Sequence, residues 1–183
     1  DKQVAIQIWM GTTDSKTKGY VFIDDFRLEK VSYQTYSNNS SSTNCKALNF
    51  NDDSDSFVIA NANFNKTKNE DSQTTYPLAP SNWTKVGSTN NNTFSGVIKA
   101  NTEHFEANKS NYTNTTITPT RPANHPIYGD NNNVLMIGST NETNTQSYES
   151  DSISLSANSY YKLNFSVFTD YFKNNYNTNN GAR

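Results

Sequence analysis

An all-β fold, built as an antiparallel β-sandwich, is what this sequence predicts, and three observations predict it. The first is composition. The 183 residues are only 32% hydrophobic, yet 13% are aromatic, with 11 Tyr and 10 Phe set among abundant Asn, Ser and Thr. A chain too poor in apolar area to fold would lack those rings and the β-branched residues beside them, whereas half-buried pleated surfaces favour both. The second is alternation of apolar and polar residues over short runs, the period of a strand with two differently solvated faces. The third is spacing: such runs recur between Asn, Gly and Pro clusters, and no segment sustains a long helical period.

Along the chain, "DKQVAIQIWMG" sets Val4, Ile6 and Ile8 against Ala5, Gln7 and Trp9. The polar "GTTDSKTKG" follows as a turn, and "YVFIDDFRLE" is a second strand, so residues 1–31 predict an antiparallel hairpin, marginal in water by itself. In residues 32–56, "SYQTYSNNSSSTNCKALNFNDDSDS", periodicity vanishes, as in a linker between modules. "SFVIANANFNK" begins a second module, 57–183, whose further strands are read in "YPLAPSNWTKVG", "GVIKAN", "NVLMIGS" and "QSYES". In "SISLSANSYYKLNFSVF" a small turn joins Ile153 and Leu155 to the alternating Tyr161, Leu163, Phe165 and Val167, predicting a tightly connected strand pair. The segment 101–133 is the least regular, carries both histidines and three of the five prolines, and reads as a long loop.

A net charge of −2 and no dense Lys/Arg cluster argue against nucleic acid as a partner. No apolar run is long enough to insert into a membrane. The single Cys45 has no partner for an internal disulfide, and nothing beside it lowers its pKa. Asn-x-Ser/Thr triplets such as Asn82-Trp83-Thr84 are expected by chance at this Asn, Ser and Thr content. No nucleophile elbow, zinc-protease helix or phosphate loop occurs, so a non-enzymatic protein is expected. Glu103 and Glu106 flank His104, but on a loop they do not make the carboxylate pair of a glycosidase.

Three stretches then point to a family. "FVIANANFNK" with "APSNWTKVG" resembles the start of jelly-roll domains related to bacterial carbohydrate-binding modules, which are galactose-binding-like; "SYESDSISLSANSYYKLNFSVFTD" resembles their middle; "GYVFIDDFRLEKV" resembles their closing strand. The closing-type strand comes first. The resemblance therefore implies tandem modules, with a closing hairpin at 1–31 and most of a second, incomplete jelly roll at 57–183. It also implies a secreted or cell-surface protein that holds a polysaccharide or surface glycan. The alternative is a stalk or fibre subunit completed by neighbouring modules or identical subunits through strand addition.

Site residues follow from the same resemblance. Trp9 and Trp83 are the natural sugar-stacking candidates, since an aromatic ring has a large apolar surface to lay on a pyranose. In family-like positions the tryptophan after "PSN" lies in or beside the core, which leaves Trp9, with Tyr76 and Tyr128, as the expected ligand residues. Structural Ca²⁺ is the cofactor implied, held by Asp24 or Asp25 with partners near Asn61 and Asn63, a hard-oxygen set that suits calcium.

Overall fold

The computed structural model describes residues 2–10, 17–31, 56–57, 59–68, 76–87, 93–100, 102–112, 133–143 and 146–174. The described residues form strands β1 (Lys2–Val4), β2 (Gln7–Met10), β3 (Thr17–Val31), β4 (Ser56–Phe57), β5 (Trp83–Gly87), β6 (Thr93–Lys99), β7 (Asn133–Thr143), β8 (Gln146–Ser150), β9 (Ile153–Leu155) and β10 (Tyr160–Asn174). A short helix, α1 (Thr102–Asn108), continues into a 3-10 turn at Lys109–Tyr112. All strand pairs are antiparallel. The all-β sandwich predicted from the sequence is what the chain builds.

Two sheets face each other. One has the order β10-β3-β7-β6, with β4 also on β3; the other has the order β2-β8-β5, and β1 pairs separately with β9. Val21, Ile23, Phe26, Leu28, Val97, Leu135 and Ile137 of the larger sheet meet Ile8, Met10, Trp83 and Tyr148 of the smaller one in a single buried cluster. The larger sheet is also apolar on its other face. Tyr20, Phe22, Ile98, Val134 and Met136 are buried there with Ala100 and with Phe105 of α1. Burial on both faces explains why "VLMI", Val134–Ile137, is a continuous apolar run instead of an alternating one. One glycine in this sheet is dictated by packing: Gly138 lies opposite Tyr20, whose ring occupies the place a Cβ would take.

The expected hairpins do not form. β2 pairs with β8 while β3 lies between β10 and β7, so the strands on either side of the 11–16 connection belong to opposite sheets. β9 and β10 do not pair with each other either: β9 pairs with β1 in a separate two-stranded sheet, and β10, which follows the turn at Ala157–Asn158, pairs with β3. β2 brings Ile8 and Met10 to the common core from one side and β3 brings Val21, Ile23, Phe26 and Leu28 from the other, which two strands of one hairpin cannot do. The closing-type strand β3 thus runs through the centre of the sheet that holds β6, β7 and β10.

Two more expectations change. Part of the segment read as a loop is helical, since Thr102–Asn108 forms α1 with Phe105 as its buried anchor and Glu103 in its first turn. The strand expected over "SFVIANANFNK" is limited to β4, after which the chain turns at Ala60–Asn63. The linker predicted over 32–56 lies, but for Ser56 in β4, outside the described residues.

β3 changes neighbours midway. Tyr20–Ile23 pair with β7, whereas Leu28 and Glu29 pair with β4. Between them Asp25 takes a left-handed φ of 56°, and Asp25 and Phe26 together face the gap between Asn164 and Ser166 on β10, which is a β-bulge. The Phe26 N–H, released from the ladder with β7, donates to the Ala62 carbonyl at 3.1 Å and so ties the 59–68 loop to the sheet.

Candidate functional site

Trp9 sits on the outer face of the smaller sheet. In β2 the residues alternate, with Ile8 and Met10 buried in the core, Gln7 exposed and Trp9 half-buried. Register then sets its company: Trp9 lies opposite Ser147, which lies opposite Val86, and the next row is Gln7, Glu149 and Thr84. The indole is held in place. Its Nε1–H donates to Gln7 Oε1 at 3.0 Å, and the Gln7 amide donates in turn to the Glu149 carboxylate. Ser147 is buried, and its hydroxyl donates to the Val86 carbonyl at 2.8 Å, closing the surface between the two strands. The result is an aromatic surface bordered by an amide, a carboxylate and the exposed Thr84.

Trp83 is placed otherwise. It is 1% exposed, packs against Phe26 and Phe64 with ring centroids 5.3 and 5.2 Å away, and donates its Nε1–H to the Asn61 carbonyl at 3.3 Å. It is a core residue.

A second polar surface lies where β3 leaves β7. One cavity of ≈ 570 Å³ is lined by Asp25, Phe26, Arg27, Ile59, Ala62, Asn61, Asn63, Asn65 and Lys66. An adjoining one of ≈ 300 Å³ is lined by Asn65, Thr67, Tyr76, Leu78, Val97, Lys99 and Asn133. Local structure fixes both walls. Asn61, in a left-handed conformation, accepts the Lys66 N–H at 2.9 Å and donates to the carbonyls of Lys66 and Ser81, clamping the loop into a compact turn. Leu78 and Val97 exchange two backbone hydrogen bonds, and Lys99 lies directly opposite Asn133 in the sheet. Tyr76 is braced edge-on by His104 of α1 at 4.4 Å. Burial and the nearby Lys99 ammonium hold His104 below its usual pKa, so the imidazole is neutral at neutral pH.

No family profile, no curated protein and no solved structure matches the chain. Its site must be read from its own residues.

The sequence-derived site residues therefore divide. Trp9 and Tyr76 are on accessible surfaces but separate ones, and Tyr128 lies outside the described residues. Of the four expected calcium ligands, Asp25, Asn61 and Asn63 line one cavity, but the set does not fit a cation. The Asn61 amide is spent on the backbone, the Asn63 oxygen faces the Asn65 N–H at 3.4 Å, and Arg27 and Lys66 line the same walls. Asp24, the fourth, is 1% exposed. Burial pushes its pKa from 3.8 to about 8; the Asp25 N–H bonded to its Oδ1 at 2.8 Å lowers it, and the neighbouring Asp25 charge raises it. Among the described residues no group of three or more His, Cys, Asp and Glu is assembled for a metal. Of the Glu103, His104 and Glu106 trio, Glu106 is engaged by Lys109 at 3.2 Å.

Sequence reasoning missed most of the rest. Gln7 was legible as sharing a face with Trp9, two residues away, but Glu149 and Thr84 join it only through register. Lys66, Lys99 and Asn133 carry no local signal. Lys99 and Asn133 face each other only through the register of β6 with β7, and Lys66 lines the neighbouring cavity through the loop that Asn61 clamps.

Proposed function

We propose that this chain is a non-catalytic, carbohydrate-binding β-sandwich of the jelly-roll type, a module of a secreted or surface bacterial protein. The observation that carries the reading is the hydrogen-bonded series from Trp9 through Gln7 to Glu149 on the outer face of the β2-β8-β5 sheet. Sugar recognition needs an apolar ring to stack on and polar groups fixed at its margin, already oriented so that little freedom is lost on binding. Trp9 supplies the first. Gln7, Glu149 and Thr84 supply the second.

The test is affinity electrophoresis of the full chain in gels containing neutral polysaccharides, such as xylan, galactomannan and mixed-linkage glucan. The wild-type protein is retarded by at least one of them, and Trp9→Ala weakens that retention by about tenfold, about 1.4 kcal/mol, with an unchanged circular dichroism spectrum. Equal retention of the folded variant overturns the reading.

A second reading, a stalk or fibre subunit, has one observation in its favour. Leu163, Phe165 and Val167 of β10, an edge of the larger sheet, are 39%, 49% and 43% exposed. An apolar stripe on an edge strand invites another strand or module. It predicts concentration-dependent association in analytical ultracentrifugation, abolished by Phe165→Lys.

A further inference from the structure

The two adjoining cavities are set for the opposite charge from the one the sequence suggested. Lys66 stands in the outer cavity and Lys99 in the inner one, and among the described residues neither ammonium has an ion-pair partner. Arg27 also lines the outer cavity, although its guanidinium is engaged by Glu29 at 2.6 Å. Asp25 is the only acid among the described lining residues. A local excess of positive charge on a chain of net charge −2 is a feature of this cleft and not of the surface at large. The remaining walls mix apolar Phe26, Ile59, Ala62, Leu78 and Val97 with neutral hydrogen-bonding groups, among them Asn65, shared by both cavities, and Asn133, opposite Lys99 and donating to the Phe64 carbonyl at 3.4 Å. Tyr76 adds an aromatic ring whose position His104 fixes.

Both volumes fall in the range of small-ligand cavities, about 300–1,000 Å³. The two free ammonium groups are distributed one to each compartment and are not clustered. That pattern matches a ligand bearing one negative charge per sugar-sized unit, with hydroxyls between the charges for the amides. We propose that this cleft binds an acidic oligosaccharide of uronic acid type, with Lys66 and Lys99 receiving carboxylates of neighbouring rings and Tyr76 packing against the inner one. The inference rests on the carbohydrate reading for its ligand class, but it uses a surface separate from Trp9.

Affinity electrophoresis of the full chain in polygalacturonate, in its fully methyl-esterified form and in a neutral glucan tests it. Expected is retention by polygalacturonate that falls at least about tenfold on methyl esterification, in the Lys66→Gln/Lys99→Gln double variant and on raising salt to about 0.5 M. Lys66→Arg/Lys99→Arg, which keeps both charges, keeps retention and guards against a folding defect. Absence of retention by polygalacturonate, equal retention of its methyl ester, or an unaffected Gln double variant overturns the proposal. Trp9→Ala separates the two surfaces. Neutral-glucan retention that depends on Trp9, with none by polygalacturonate, leaves the Trp9 reading standing and removes this one. Lysine-dependent retention by polygalacturonate that Trp9→Ala leaves intact, with no neutral polymer bound, does the reverse.

Discussion

The two tryptophans make the most instructive comparison in the molecule. Both lie on strands of the same three-stranded sheet, yet one is 1% exposed between Phe26 and Phe64 and the other is half-buried on the outer face. Chemistry does not distinguish them; strand parity does. Trp83 shares the inner face with Tyr148, whereas Trp9 falls one residue away from the inward Ile8 and Met10. Even their ring nitrogens follow this division. That of Trp83 bonds to a backbone carbonyl of the loop beneath the core, and that of Trp9 to a side chain on the surface. A residue's face, more than its type, assigns it to stability or to recognition.

Substitutions can break that contrast. Trp83→Ala removes a fully enclosed ring and its bond to Asn61, and should cost about 3–5 kcal/mol, read as a lower urea midpoint. Asp24→Asn sharpens the contrast by showing that burial can override face. Asp24 belongs to the outer row of β3, but its pKa in the fold stands well above that in the unfolded chain. The folded state therefore holds more protons. Stability from this group is fully present below about pH 4 and is lost as pH rises toward about 8. Thermal melts should show the wild type weakening across that window, by on the order of a few kcal/mol, and Asp24→Asn following a flatter curve.

Smaller effects come next. Gly138→Ala drives a methyl into the Tyr20 ring, and about 1–3 kcal/mol of destabilisation is expected from the displacement, measured in the same urea titration. Trp9→Ala should change stability least, within roughly 1 kcal/mol, because the ring is only half-buried. Its consequence belongs in glycan retention, so a large loss of stability there would erase the distinction between the two tryptophans.

How far the sequence could be read follows the same logic. Alternation located β2, β9 and β10, because a period of two depends only on neighbouring residues. It set Ile8 on the face opposite Gln7 and Trp9 for the same reason. Pairing was another matter. The 11–16 and 156–159 connections are short enough for hairpins, yet each joins strands of different sheets. Connection length carries no record of which sheet the next strand enters. α1 was hidden because "TEHFEAN" offers one apolar anchor, Phe105, and no helical stripe. At the candidate sites, Trp9 and Tyr76 were legible as aromatic residues in polar surroundings. Lys66, Lys99 and Asn133 were not, since only long-range register and the loop clamped by Asn61 bring them together. The side chains around the expected calcium site are read with the same difficulty. Proximity in sequence does not reveal that Asn61 is consumed by its own loop.

The bulge in β3 has one more consequence, best put in terms of phase. Before Asp25 the odd-numbered residues Val21 and Ile23 point into the core; after it the even-numbered Phe26 and Leu28 do. One supernumerary residue thus shifts the reading frame of the strand by half a period. Were Asp25 drawn into the regular ladder and the bulge lost, Arg27 and Glu29 would turn inward and Phe26 and Leu28 outward, inverting half of the central strand without altering one amino acid. The bulge in this sense leaves Asp25 out of the count, and so keeps two hydrophobic patterns of opposite numbering parity in register with a single core.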